Sequence, residues 1–170
     1  MKARLLIALA VAGVVAPAAQ ACSCLQLTGT PEEQVRQSLD DADAVFVARL
    51  KRSALRPETR TDGHRRDVIE DAQFEIIEVF KGALQVGQVI RVYQVLSAGS
   101  CGQSSTNDPP WMYAASKPGA EQLPVKFSKE WLIYSHGTPI ELGRCTRSSP
   151  INVEGGQDVK ILRGLKRQKH

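Results

Sequence analysis

The chain has 170 residues, 42% of them hydrophobic and 24% charged, and carries a formal net charge of +4. Setting aside Lys2 and Arg4, which fall in a leader, leaves about +2 (4 − 2), too balanced to point to nucleic acid as a partner. No apolar run after the leader approaches the roughly 20 residues that a spanning helix needs, so no membrane span is expected.

Residues 1–21 read as a secretory signal peptide. Lys2 and Arg4 supply its positive start, and Leu5 to Val15 form an apolar stretch too short to cross a bilayer. Ala19-Gln20-Ala21 fits the small-x-small cleavage rule. Cleavage after Ala21 predicts a secreted or periplasmic protein that begins at Cys22. Ala19 and Gln20 make a poor lipobox, so ordinary cleavage is preferred over a lipoprotein. The remaining residues 22–170 suffice for a single domain with its own core.

Pro31 to Asp41 is a predicted helix. Thr30 can cap it, Pro31 suits its first turn, and Glu32 and Glu33 sit at the positive end of its dipole. Val35 and Leu39 lie four apart and should face the core. Ala44 to Leu50 reads as a strand, and the Arg-rich run Lys51 to Asp67, with Pro57 and Gly63, as a long exposed loop. In the strand Val68 to Phe80, Ala72, Phe74 and Ile76 alternate with polar residues before Ile77 and Val79 turn apolar on the second face. Such a change of buried side is expected where a small barrel bends.

Lys81-Gly82 ends that strand, and Val89 to Leu96 forms the next. Ser97 to Lys126 reads as a surface excursion, with residues 103–126 as an insertion holding Pro109-Pro110-Trp111 and Tyr113. Trp131 to Ser135 is the fourth strand, His136-Gly137 a turn, and Ile140 to Cys145 the fifth strand. A C-terminal helix over 156–169 places Val159, Leu162 and Leu165 inward and Arg163, Lys166 and Arg167 in water. Together these elements predict a mainly β domain: a five-stranded Greek-key barrel like the oligonucleotide/oligosaccharide-binding (OB) fold, flanked by two short helices. A two-sheet sandwich is the rival architecture.

All four cysteines, Cys22, Cys24, Cys101 and Cys145, lie after the signal. An even count in an exported chain predicts two disulfides out of three possible pairings. Pairing Cys22 with Cys24 would close a strained ring and is set aside, which leaves two ways of tying the N-terminus to distant points. Either way, each closed loop contributes roughly 4–5 kcal/mol on the chain-entropy model.

The order of Cys22-Ser23-Cys24, Ala44-Val45-Phe46-Val47-Ala48, Phe74-Glu75-Ile76, Val79-Phe80-Lys81-Gly82, Cys101-Gly102, Trp131-Leu132-Ile133-Tyr134 and Cys145-Thr146 carries a resemblance. Over residues 22–148 the chain resembles the N-terminal inhibitory domain of the tissue inhibitors of metalloproteinases, in the single-domain form seen in bacteria. The resemblance implies disulfides Cys22–Cys101 and Cys24–Cys145. It implies a zinc metallopeptidase as protein partner, with Cys22 binding the target's zinc and Ser23 entering its specificity pocket. Cys24, Leu25, Ser100 and Cys101 would complete the inhibitory ridge. Gln26 and Leu27 replace the family's proline-containing continuation, and the second domain of the animal inhibitors has no counterpart.

Rival chemistries are weaker. A Cys-Ser-Cys copper site needs reduced thiols, and Met112 is the one methionine after the leader. An N-terminal nucleophile needs a free thiol and a base, and His64, His136 and His170 all fall in predicted loops or the tail. The run Gly99-Ser100-Cys101-Gly102 lacks the Gly-x-Ser-x-Gly pattern of a nucleophile elbow. A monomeric, non-enzymatic protein without a cofactor is therefore expected. The alternative is a non-inhibitory envelope module of the OB type that binds a protein or a glycan, its cysteines acting only as staples.

Overall fold

The computed structural model describes residues 24, 27–59, 66–96, 101–105, 129–143 and 145–168, with backbone alone for 56–59 and 66–67. The fold is mainly β. Helix α1 (Pro31–Asp41) precedes strands β1 (Ala44–Thr59), β2 (Arg66–Lys81), β3 (Val89–Val95), β4 (Glu130–Ser135) and β5 (Ser149–Pro150), and helix α2 (Gly156–Gln168) follows. The strands form one antiparallel sheet in the order β3-β2-β1-β4-β5. The five strands and both helices expected of an OB-like domain are present, but the sheet is not closed into a barrel, since β3 and β5 remain its edges.

Both faces of the sheet are covered, and strand alternation divides the side chains between them. Phe46, Ala48, Leu50, Ala72, Phe74, Ile76, Trp131 and Ile133 build the inner core with Leu142. Val45, Val47, Leu132 and Tyr134 point the other way and pack under Val35 of α1 and Val159 and Leu162 of α2. On α1, Thr30 and Glu33 form a reciprocal capping box, with Thr30 N donating to Glu33 Oε2 at 2.7 Å.

Three one-residue bulges set the curvature. The pairing β1–β2 steps from Val45↔Lys81 to Phe46↔Val79 and from Val47↔Glu78 to Ala48↔Ile76, so Phe80 and Ile77 are the extra residues. Both turn to the helix-covered face, which lets Val79 rejoin the inner core. The expected change of buried side occurs at Ile77, with the bulge as its cause, but the other residue on that face is Phe80 and not Val79.

The third bulge, at Lys51 between Leu50↔Phe74 and Arg52↔Gln73, corrects the sequence reading. Lys51 to Asp67 is not one long loop, because β1 continues to Thr59 and β2 begins at Arg66. Beyond the bulge the inward positions change parity from Phe46, Ala48 and Leu50 to Ser53 and Leu55, both buried. That broken alternation, with arginine on the outer face, mimics a loop.

The expected fifth strand Ile140 to Cys145 is also corrected. Among the described residues of that segment only Gly143 pairs, as an isolated bridge to Gly102, and the sheet's fifth strand is the short Ser149–Pro150 beside β4. Glycine at both bridge positions permits a close backbone approach, and the turn at Cys145–Arg147 ends any longer ladder. A π-type turn at Ile151–Gly155 leads into α2, whose Val159, Leu162 and Leu165 are buried as expected. No helix among the described residues is long and apolar enough to cross a membrane. The signal peptide, and the 106–126 part of the insertion, lie outside the described residues.

Candidate functional site

The expected ridge residues Cys22, Ser23, Leu25 and Ser100 lie outside the described residues. The structure does place Cys24, Cys101 and Cys145, and it brings their segments together at one end of the sheet. Cys24 is bonded to Cys145 across 121 residues of sequence, with Cα atoms 5.0 Å apart. Cys101 is also disulfide-bonded, and no described cysteine is free. The Cys22–Cys101 pairing involves a residue outside the described ones.

The Cys101 segment meets the Cys145 segment through backbone contacts. Gly102 bridges Gly143, and Gln103 N donates to Leu142 O at 2.8 Å. On its other side Gly102 lies so close to β3 that an added Cβ would collide with the Val95 carbonyl oxygen. Residues 101–105 therefore fill the space between the β3 edge and the 142–143 segment, where a closed barrel would continue. Cys101 and Cys145 are exposed and Cys24 is half-buried, so the stapled end faces outward. A groove of about 290 Å³ runs beside it, lined by Tyr93, Gln94 and Val95 on one wall and Pro139, Glu141 and Leu142 on the other.

Two further ties hold this end to the helices. Gln34 of α1 donates from Nε2 to Leu27 O at 3.3 Å and Gly29 O at 3.1 Å, fixing the chain that follows Cys24. Arg147, two residues after Cys145, takes a left-handed backbone conformation (φ 58°) that is strained for a side-chain-bearing residue. It donates to Asp158 Oδ2 at 2.6 Å and Oδ1 at 3.0 Å, and to Gln34 Oε1 at 3.0 Å. The turn is thus clamped between α1 and α2 by a bidentate, part-buried ion pair, a geometry that fits guanidinium to carboxylate. Hydrogen bonding to Asp158 raises the Arg147 guanidinium further above its ordinary value. Burial, together with the nearby Asp158 charge, pushes the Tyr134 phenol well above its own, so both groups keep their protons at all ordinary pH.

The Phe80-Lys81-Gly82 landmark acquires a structural role. Lys81 Nζ donates to Leu39 O at 2.9 Å and Asp40 O at 2.8 Å, capping the C-terminal carbonyls of α1. Gly82 has φ 100°, and a Cβ there would lie 2.9 Å from that of Ala44. Among the described residues no group of three His, Cys, Asp or Glu side chains could hold a metal ion. His136 is exposed in the turn after β4; His64, His170, Trp111 and Tyr113 lie outside the described residues.

Sequence reading missed Arg147, Asp158 and Glu70. Arg147 and Asp158 are separated by a turn that carries no motif. Glu70 sits on the inner face one step beyond Ala72, where alternation calls for an apolar residue; a carboxylate at an apolar position was the available signal. Comparison with known proteins returns no matching family model and no matching curated relative.

Proposed function

We propose that this is a secreted or periplasmic inhibitor of zinc metallopeptidases, acting stoichiometrically and not as an enzyme. The observation that carries the reading is the outward-facing staple: Cys24 is bonded to Cys145, and the Cys145 segment is joined at Gly143 to the Cys101 segment. Removal of residues 1–21 would leave the α-amine of Cys22 free, two residues from that anchor. A catalytic zinc keeps one position open beside three protein ligands. The amine and carbonyl of Cys22 can occupy it as a five-membered chelate and displace the attacking water. The amine must be neutral, and with an ordinary pKa of about 7.7–8.0 the metal readily drives its deprotonation.

Ser23 would then enter the target's specificity pocket, with Leu25 and Ser100 flanking it beside Cys24 and Cys101. Disulfide anchoring holds the donor atoms before binding, so little ordering entropy is lost in the complex. The test is an added alanine before Cys22. The extended protein should keep its melting temperature and lose inhibition of every zinc peptidase that the mature form titrates at equimolar amounts. Equal inhibition by both forms removes the chelation mechanism.

The groove beside β3 supports the second reading, an envelope module that binds a protein or glycan. Under that reading the alanine extension is silent, and no zinc peptidase loses activity near equimolar protein.

A further inference from the structure

Glu70 is fully buried on the inner face of β2, at 0% exposure, on the side of the sheet where Ala72, Phe74 and Ile76 are apolar. In register it pairs with Leu55 of β1 and Gln94 of β3. Its oxygens accept from three parts of the chain. Oε1 takes the hydroxyls of Ser53 at 2.6 Å and of Ser105; Oε2 takes Gln94 Nε2 and, at 2.9 Å, the backbone N–H of Ser105. None of these donors is a cation. Burying a carboxyl group carries a desolvation cost that an apolar residue of similar volume would avoid. What an apolar residue could not do is receive two bonds from one residue of the Cys101 segment.

We infer that Glu70 is the positioning residue of the Cys101–Ser105 segment. It pegs the segment's far end to β1, β2 and β3, while Gly102 and Gln103 tie its near end to Gly143 and Leu142. With both ends held, Cys101 has a fixed place beside the Cys24–Cys145 bridge. The same segment carries Cys101 of the proposed inhibitory ridge. As a role in inhibition the inference rests on the function proposed above; as a role in placing the segment it does not.

The experiment compares Glu70→Gln, Ser105→Ala and Ser53→Ala in the full mature protein. Ser53→Ala removes a donor on the β1 side and leaves both Ser105 bonds in place, so it is the control for simple destabilisation. Hydrogen exchange at the amide of Gln103 is measured against the slowest amides of β2. Glu70→Gln and Ser105→Ala should speed Gln103 exchange by about tenfold beyond any change in β2, the factor expected for losing one charge-assisted hydrogen bond. Ser53→Ala should raise the ratio less than either, because both Ser105 bonds to Glu70 stay in place. Equal ratios in all three variants and the wild type would overturn the inference.

Inhibition provides the second arm. Against a zinc peptidase that the wild type inhibits, Glu70→Gln and Ser105→Ala should weaken inhibition about tenfold through faster dissociation, and Ser53→Ala should not. A loosened segment with unchanged inhibition overturns the role in the ridge. A wild type that inhibits none of the peptidases refutes the proposed function, and the exchange ratio still decides the placement.

Discussion

The Cys24–Cys145 bridge spans 121 residues, and its removal is expected to act almost wholly on the unfolded chain. In the native state the turn after Cys145 keeps other ties. Thr146 Oγ1 donates to Gly143 O at 2.8 Å, and Arg147 remains paired with Asp158. The double variant Cys24→Ser/Cys145→Ser should therefore retain its fold. On the chain-entropy relation, a loop of this length removes about 16 cal/mol/K from the unfolded ensemble, or about 5 kcal/mol at 25 °C. That equals the lower end of the net stability of ordinary domains, about 5–15 kcal/mol. Urea denaturation under oxidising conditions measures it directly. The midpoint should fall by the equivalent of about 3–5 kcal/mol, and the slope m should rise as the unfolded chain expands. The same variant should inhibit poorly, because the chain before Leu27 loses the one of its two expected anchors that lies at Cys24. A loss below about 1 kcal/mol with an unchanged m would refute the reasoning, since it would mean that the staple constrains neither state.

Two glycine substitutions should move stability in opposite directions. Gly102→Ala drives a Cβ into the backbone of Val95, which cannot yield cheaply, and should cost about 1–3 kcal/mol by thermal denaturation. Gly164→Ala lies within α2 where a Cβ meets nothing within 4 Å, and should stabilise by up to about 1 kcal/mol. Acid should weaken the fold through Glu33 and Glu75. Hydrogen bonds from the Thr30 backbone and hydroxyl hold the Glu33 carboxyl below its ordinary value, and the Lys51 ammonium does the same for Glu75. A depressed folded value means that this stability is complete above the ordinary carboxylate range near about 4.3 and is lost as pH falls through the lower, folded value. Thr30→Ala should flatten the acid arm of a urea-midpoint profile between pH 7 and pH 2; an unaltered arm would exclude the capping box as a contributor.

Sequence reading reached local structure wherever one residue's neighbours along the chain decide its state. Thr30, Pro31 and Glu33 marked the start of α1, which begins at Pro31 and ends at Asp41 as expected. The switch of apolar side after Ile76 signalled a bend, and the bulges at Ile77 and Phe80 are its cause. The same physics concealed the long β1–β2 hairpin. One extra residue at Lys51 reverses the parity of the inward positions, so Ser53 and Leu55 fell out of step with Leu50 and the strand read as a loop. Ile140 to Leu142 had a strand's composition, but pairing depends on a partner, and the partner found was a single glycine.

What the amino acids determined unaided was the kind of molecule: a mainly β domain with a helix at each end, and four cysteines for cross-linking. The Cys24–Cys145 bond, implied by the resemblance, is present, but tertiary structure alone decided that the sheet stays open, with β3 and β5 as its edges, and that Gly102 lies between Val95 of β3 and Gly143. It alone set Glu70 beneath Ser105 and Arg147 between Gln34 and Asp158. Propensity, capping and alternation act over a few residues and are written into the local chain. The bonds at the stapled end join groups as many as 121 positions apart, and their energies exist only once the sheet has curled and brought those groups within reach.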